Sequence, residues 1–204
     1  DGQLPVYTAE GEARMAARAD ARGRNAGPED RDVDERCILG FNSGPPMISG
    51  SYNNNVQIFQ TPGSVALLNE QNHDVRIIPL DGRPHVGSQI LQWMGDSRGH
   101  WEGETLVVET TNFNGKHDQI GRPLLSTGEN LSLVERFTRT DSDTLLYEFT
   151  VTDPTIWVSP WTAELPMKLN PDLIFEFACH EGNYGLYNIM AGSRTEELAA
   201  AATR

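Results

Sequence analysis

A chain of 204 residues suits one domain with a full core. Its net charge of −13 argues against nucleic acid and anionic lipid, both of which attract basic surfaces. No run of about 18 apolar residues occurs, so the sequence offers no membrane-spanning helix.

The chain begins at Asp1, which fits a cleaved leader or a trimmed chain. Residues 8–24 read as a helix. Thr8 can cap it, Glu10 and Glu12 sit in the first turn, and Arg18, Arg22 and Arg24 gather near the end, with Gly23 as a stop. An acidic linker completes a segment 1–36. Cys37 and Cys179 are the two cysteines, and neither belongs to a Cys-x-x-Cys pair. A single disulfide and two separate buried thiols are both open readings.

Phe41 to Asn55 is rich in Gly, Pro, Ser and Asn and reads as an irregular loop. Three short strands come next, 56–61, 65–70 and 75–80, separated by turn residues at hairpin spacing. Residues 83–103 read as a long connection, of the kind that often carries function. Further strands are expected at 105–113, 131–139, 145–152, 162–168 and 173–180. A loop from Asn114 to Glu129 separates the first two of these. Ser193-Arg194-Thr195-Glu196 has the form of a capping box, which places a short helix over 195–202.

About eight consecutive strands, with no helix between them, imply an all-β antiparallel meander. Closure removes its edges. The expected fold is a lipocalin-like barrel over 37–192, with peripheral helices in 1–36 and 193–204. A two-sheet sandwich is the alternative.

Alternate strand residues share a face. Glu135 falls in the phase of Leu131, Leu133 and Phe137, and Glu109 in the phase of Val107 and Phe113. Buried carboxylates have raised pKa values unless paired, which suits acid or base roles. The competing reading pairs them with Arg76, Arg136 or Arg139, or turns them outward at a bulge. Of the histidines at 73, 85, 100, 117 and 180, none has a metal-ligand spacing, and His117 reads as a surface residue. His100-Trp101-Glu102 and His180-Glu181 each bring His near Glu. Because adjacent strand residues point oppositely, a direct pair within either motif is not expected. Trp93, Trp101, Trp157 and Trp161 lie in or beside the long loops, where they could stack on a ligand or plug the barrel end.

The stretch Trp93-Met94-Gly95-Asp96-Ser97-Arg98-Gly99-His100-Trp101-Glu102-Gly103-Glu104-Thr105-Leu106-Val107-Val108 resembles the signature of a large group of exported bacterial proteins of unassigned function. Asp81-Gly82-Arg83-Pro84-His85, Glu135-Arg136-Phe137, Asp153-Pro154, Pro160-Trp161 and Cys179-His180-Glu181-Gly182-Asn183-Tyr184 match as well. Glu104 departs from the pattern, which has Asp there. The resemblance spans about Cys37 to Glu197 and carries over no catalytic residue. It implies export, to the periplasm or beyond. With export, a Cys37–Cys179 disulfide is expected.

Two functions remain. One is an acid–base enzyme, of lyase, isomerase or hydrolase type, acting on a small cyclic, aromatic or glycosidic substrate. Its catalytic set would be Glu135, Glu109, His100 and His180. His85, Trp93, Trp101, Trp161, Glu181 and Tyr184 would bind substrate, with no metal and no cofactor. The other is a non-catalytic small-ligand carrier. The density of ionisable groups in one cavity separates them.

Overall fold

The structure, a computed structural model, describes residues 5–116 and 128–203. Helix α1 (Ala9–Arg24) starts where expected: the Thr8 side chain accepts the Gly11 N–H at 3.0 Å. It runs through Gly23 and stops at Asn25, whose φ of 48° is left-handed. Arg22 bonds Asp32 and Glu35, which ties the acidic linker to the helix.

Eight strands come after it among the described residues: β1 (Val56–Gln60), β2 (Ser64–Asn69), β3 (Val75–Pro79), β4 (Asp96–Glu102), β5 (Thr105–Thr111), β6 (Ser132–Arg139), β7 (Thr144–Thr152) and β8 (Trp161–Lys168). They form two antiparallel sheets, β1-β2-β3 and β4-β5-β6-β7-β8. Among the described residues no ladder joins the sheets, and no closed barrel is found. Side-chain packing links them instead. A Cβ at Gly99 of β4 would lie 2.8 Å from Ile78 Cγ2 and 2.7 Å from Leu80 Cδ2. Only glycine lets the end of β3 approach β4 so closely.

Val65, Leu67 and Ile78 of the first sheet share one core with Leu106, Val108, Leu133, Phe137, Tyr147 and Phe149 of the second. Each such fully buried side chain contributes about 1.5–3 kcal/mol. A buried ion pair sits inside this core. Glu135 is fully buried, and Arg76 of β3 grips both its oxygens, at 2.5 and 2.9 Å. Tyr147 donates its hydroxyl to Glu135 Oε1 at 2.8 Å and accepts the Met47 N–H at 3.0 Å. One carboxylate thereby joins β3, β6, β7 and the loop before β1. Burial, with the Glu135 charge beside it, pushes the Tyr147 hydroxyl well above its ordinary pKa.

Several sequence expectations need correction. The segment 83–103 is not all loop, because β4 occupies its second half. Residues 173–180 form no strand. Leu173 to Ala178 is irregular, and Leu173 and Phe175 are 76% and 73% exposed. Period-two apolarity is present there, but among the described residues no strand pairs with the segment. The second helix, α2 (Tyr184–Ala202), starts eleven residues before Thr195. Asn183 caps it, and Ser193 sits mid-helix with its hydroxyl on the Asn25 carbonyl at 3.0 Å. Cys37 and Cys179 are bonded as a disulfide across a sequence separation of 142. No helix among the described residues is long and apolar enough to cross a membrane.

Arg76→Met would strand the Glu135 carboxylate in the core and lower unfolding free energy by about 3–5 kcal/mol. Arg76→Met combined with Glu135→Leu removes both charges and should be more stable than the single variant. Urea denaturation measures both; a single variant as stable as wild type would refute the structural role.

Candidate functional site

The strand registers define two ends of the larger sheet. At one end lie Asp96, Thr111 and Trp161; at the other, Glu102, Arg139 and Leu145. The first end is closed. Tyr7 stacks on Trp157 at 4.4 Å, Trp157 meets Trp161 edge-on at 5.6 Å, and Trp161 meets Phe149 at 5.5 Å. Trp157 and Trp161 thus plug this end rather than offering their faces to a ligand.

The other end is open. A cavity of about 740 Å³ enters between the sheets there. Ile58, Val65, Leu67, Leu106, Phe137 and Leu145 make an apolar floor. Trp101, Arg139 and Asp141 stand around it, all exposed, together with Glu104. Gly103, at φ 61°, makes the β4–β5 turn that sets Trp101 and Glu104 on the rim.

A second constellation lies at the closed end, on the outer side of β4. Asp96 is buried and accepts three hydrogen bonds: His85 Nδ1 at 2.9 Å, the Val86 N–H at 3.1 Å and Arg98 Nη1 at 2.8 Å. Burial alone would raise the Asp96 carboxyl. The Val86 amide, the His85 ring and Arg98 outweigh it, and its pKa falls below the ordinary 3.8. An ionised carboxylate only accepts, so His85 Nδ1 carries the proton. Nε2 takes no part in the Asp96 contact. Asn112, left-handed at φ 60°, fixes the adjoining loop by donating to the Gly87 and Ile90 carbonyls at 3.0 and 3.2 Å.

The expected catalytic residues are not brought together. Glu135 is locked beneath the cavity by Arg76 and Tyr147, the paired state allowed by the sequence. Glu109 is a correction. It lies on the outer face, exposed, across from Arg98. Both phases of β5 carry apolar residues, and Asn112 breaks the alternation before Phe113, so the pattern assigned Glu109 to the wrong face. His100 is exposed and meets Glu102 at 3.3 Å, and Arg136 meets the other Glu102 oxygen at 2.7 Å. Residues 100 and 102 are two apart and share a face of β4, so a pair forms within that motif, contrary to expectation.

Of the expected binding residues, only Trp101 lines the larger cavity. His85 and Trp93 are half-buried, and Tyr184 is exposed at the first turn of α2. His180 is exposed, in the segment that Cys179 tethers, and Glu181 lines a smaller cavity of about 330 Å³ beside the disulfide. His117 lies outside the described residues, as does most of the loop expected from Asn114 to Glu129. Asp96 and Arg98 were not singled out from the sequence. Their signal is there: Asp96, Arg98, His100 and Glu102 alternate with Ser97, Gly99 and Trp101 in the period of a strand.

No family model, curated protein or solved structure matches the chain.

The Asp96 geometry makes a pH prediction. A carboxyl with a depressed folded pKa stabilises the fold above its ordinary value and loses that contribution as pH falls through the folded value. Asp96→Asn should lower stability by about 1–3 kcal/mol at neutral pH. The gap to wild type should narrow as pH falls below 3.8. Urea titrations at a series of pH values test this, and a gap independent of pH would count against it.

Proposed function

We propose that the protein is an exported small-ligand-binding module that takes an apolar, cyclic or aromatic molecule between the open ends of its sheets. On this reading the two sheets act as an opened lipocalin-like barrel whose mouth is the Trp101 end. The observation that carries it is the composition of the larger cavity: an apolar floor, ionisable groups confined to the rim, and one tryptophan at the lip. Its volume of about 740 Å³ falls in the range of small-molecule sites. A carrier needs such a floor. An acid–base enzyme needs two proton-transfer groups within reach of one ligand, and Glu135 is sequestered while Glu109 points away. The disulfide supports an oxidising compartment, in keeping with export.

A second reading, an acid–base enzyme of lyase, isomerase or hydrolase type, is favoured by one observation, the His85–Asp96 pair. A buried carboxylate that orients an imidazole is the usual support for a general base. Here the base would be His85, rather than the glutamates expected from the sequence.

The neutral dye N-phenylnaphthylamine tests the first reading. Its fluorescence should rise on binding, and it should quench Trp101. Trp101→Ala should weaken binding about threefold to tenfold, the worth of one aromatic contact. Ile58→Arg, which puts a charge into the floor from an edge strand, should abolish binding, and His85→Ala should leave it unchanged. Affinity equal to wild type in both the Trp101 and Ile58 variants would overturn the assignment.

A further inference from the structure

Two parts of this chain are suited to strand pairing and find no partner within it. The first is β1, an edge strand of the smaller sheet. Thr61 donates its N–H to the Ser64 carbonyl, and Asn55 accepts from the Glu70 N–H, so both bond across to β2. Bonded and non-bonded pairs alternate along an antiparallel ladder, so Gln57 and Phe59 bond to β2 as well. The N–H and C=O groups of Val56, Ile58 and Gln60 therefore point off the free edge. The second part is the segment 173–178. Leu173, Phe175 and Phe177 alternate there with Ile174, Glu176 and Ala178, the period of a strand, yet no ladder among the described residues holds it.

We propose that residues 173–177 of a second copy pair with the free edge of β1, and that the exchange is mutual, giving a two-fold dimer. The inference goes beyond ligand binding and does not rest on it.

The edges differ in their protection. Natural edge strands are blunted by charge, by proline or by cover. β8, the outer strand of the larger sheet, carries Glu164, Pro166 and Lys168. β3 and β4 pack against each other at Gly99. β1 reads Val-Gln-Ile-Phe-Gln, with no charge and no proline, and Ile58 and Phe59 are 42% and 48% exposed. Among the described residues it is the unguarded edge.

The position of the segment selects a second copy as the partner. Asn170 donates to Asn55 at 3.1 Å, so the segment departs beside the start of β1. Its far end is fixed by the Cys179–Cys37 bond. A two-fold interface needs each copy to carry both halves of the match on one patch, and edge and segment meet that condition. Charge agrees. Two chains of net charge −13 repel wherever their acidic surfaces meet, but no outward position of the smaller sheet is charged. Glu176 alternates with Phe175 and Phe177, so pairing leaves it on the face away from them.

Analytical ultracentrifugation of the oxidised, full chain tests this. A ladder along the five residues of β1 is a small interface, so the dissociation constant should be on the order of 10–100 µM. Dimerisation should tighten as salt rises, because screening weakens the repulsion between copies. Phe175→Lys, at a side chain that stands in solvent in the single copy, should weaken it at least about tenfold. Ile58→Pro removes a donor that β2 does not use and should weaken it too. Leu198→Lys, at an equally exposed site on α2, should change nothing. Amide hydrogen exchange at Ile58 should slow as protein concentration rises, while that at Phe59, already bonded to β2, should not respond. A chain that stays monomeric to about 500 µM, well above the expected constant, overturns the proposal. So does a Phe175→Lys or folded Ile58→Pro variant that dimerises like wild type, an equal loss in Leu198→Lys, or a dimer in which exchange at Ile58 is unchanged. Should Ile58→Pro fail to fold, the Phe175 variant and the exchange at Ile58 decide.

Discussion

The Arg76–Glu135 pair is the constraint on which the two-sheet arrangement depends. Hydrophobic burial would hold the sheets together in many orientations, because it has no direction. A bidentate guanidinium–carboxylate contact has direction, and it is satisfied at one relative placement of β3 and β6. Tyr147 adds a third donor to the carboxylate, and the Met47 amide donates to the phenol in turn. A buried network whose members are paired in this way specifies a structure rather than weakening it. Replacing such a pair by apolar residues is often neutral in stability, so its value here is placement.

That placement decides which chemistry is left for function. With Glu135 committed to Arg76, the space between the sheets keeps an apolar floor, with Glu104 and Asp141 on its rim. The His–carboxylate pair with a buried partner, His85–Asp96, lies at the opposite end of β4. The two candidate chemistries are therefore separated by the length of a strand and would not share one ligand.

Most strands were legible in the sequence because hairpin turns and period-two patterns agreed. β1, β2, β3, β6, β7 and β8 fall within a residue or two of their expected bounds. β4 was hidden by its glycines, and Gly99 is there for close packing rather than for a turn. The segment 173–180 was misread for the opposite reason. Its pattern is that of a strand, but pairing depends on a free edge, which lies outside local sequence. Glu135 was correctly put in the core, and Arg76 was among its possible partners, but no pattern ranked three arginines. The walls of the smaller cavity come from Asp34, Phe41, Tyr52, Gln71 and Phe177. Residues so far apart carry no joint signal in a single sequence.

The Leu173–Ala178 stretch has backbone that no ladder holds and side chains largely in solvent, the features that make a peptide bond easy to cleave. Cys179 lies just beyond it, bonded to Cys37 in the body of the fold. A protease that cut this stretch would not release the C-terminal piece. That piece, with α2, would stay attached through sulfur, and the nicked molecule would run as one species without reductant and as two with it. In a compartment rich in proteases, the bridge lets the chain be broken without losing its last helix.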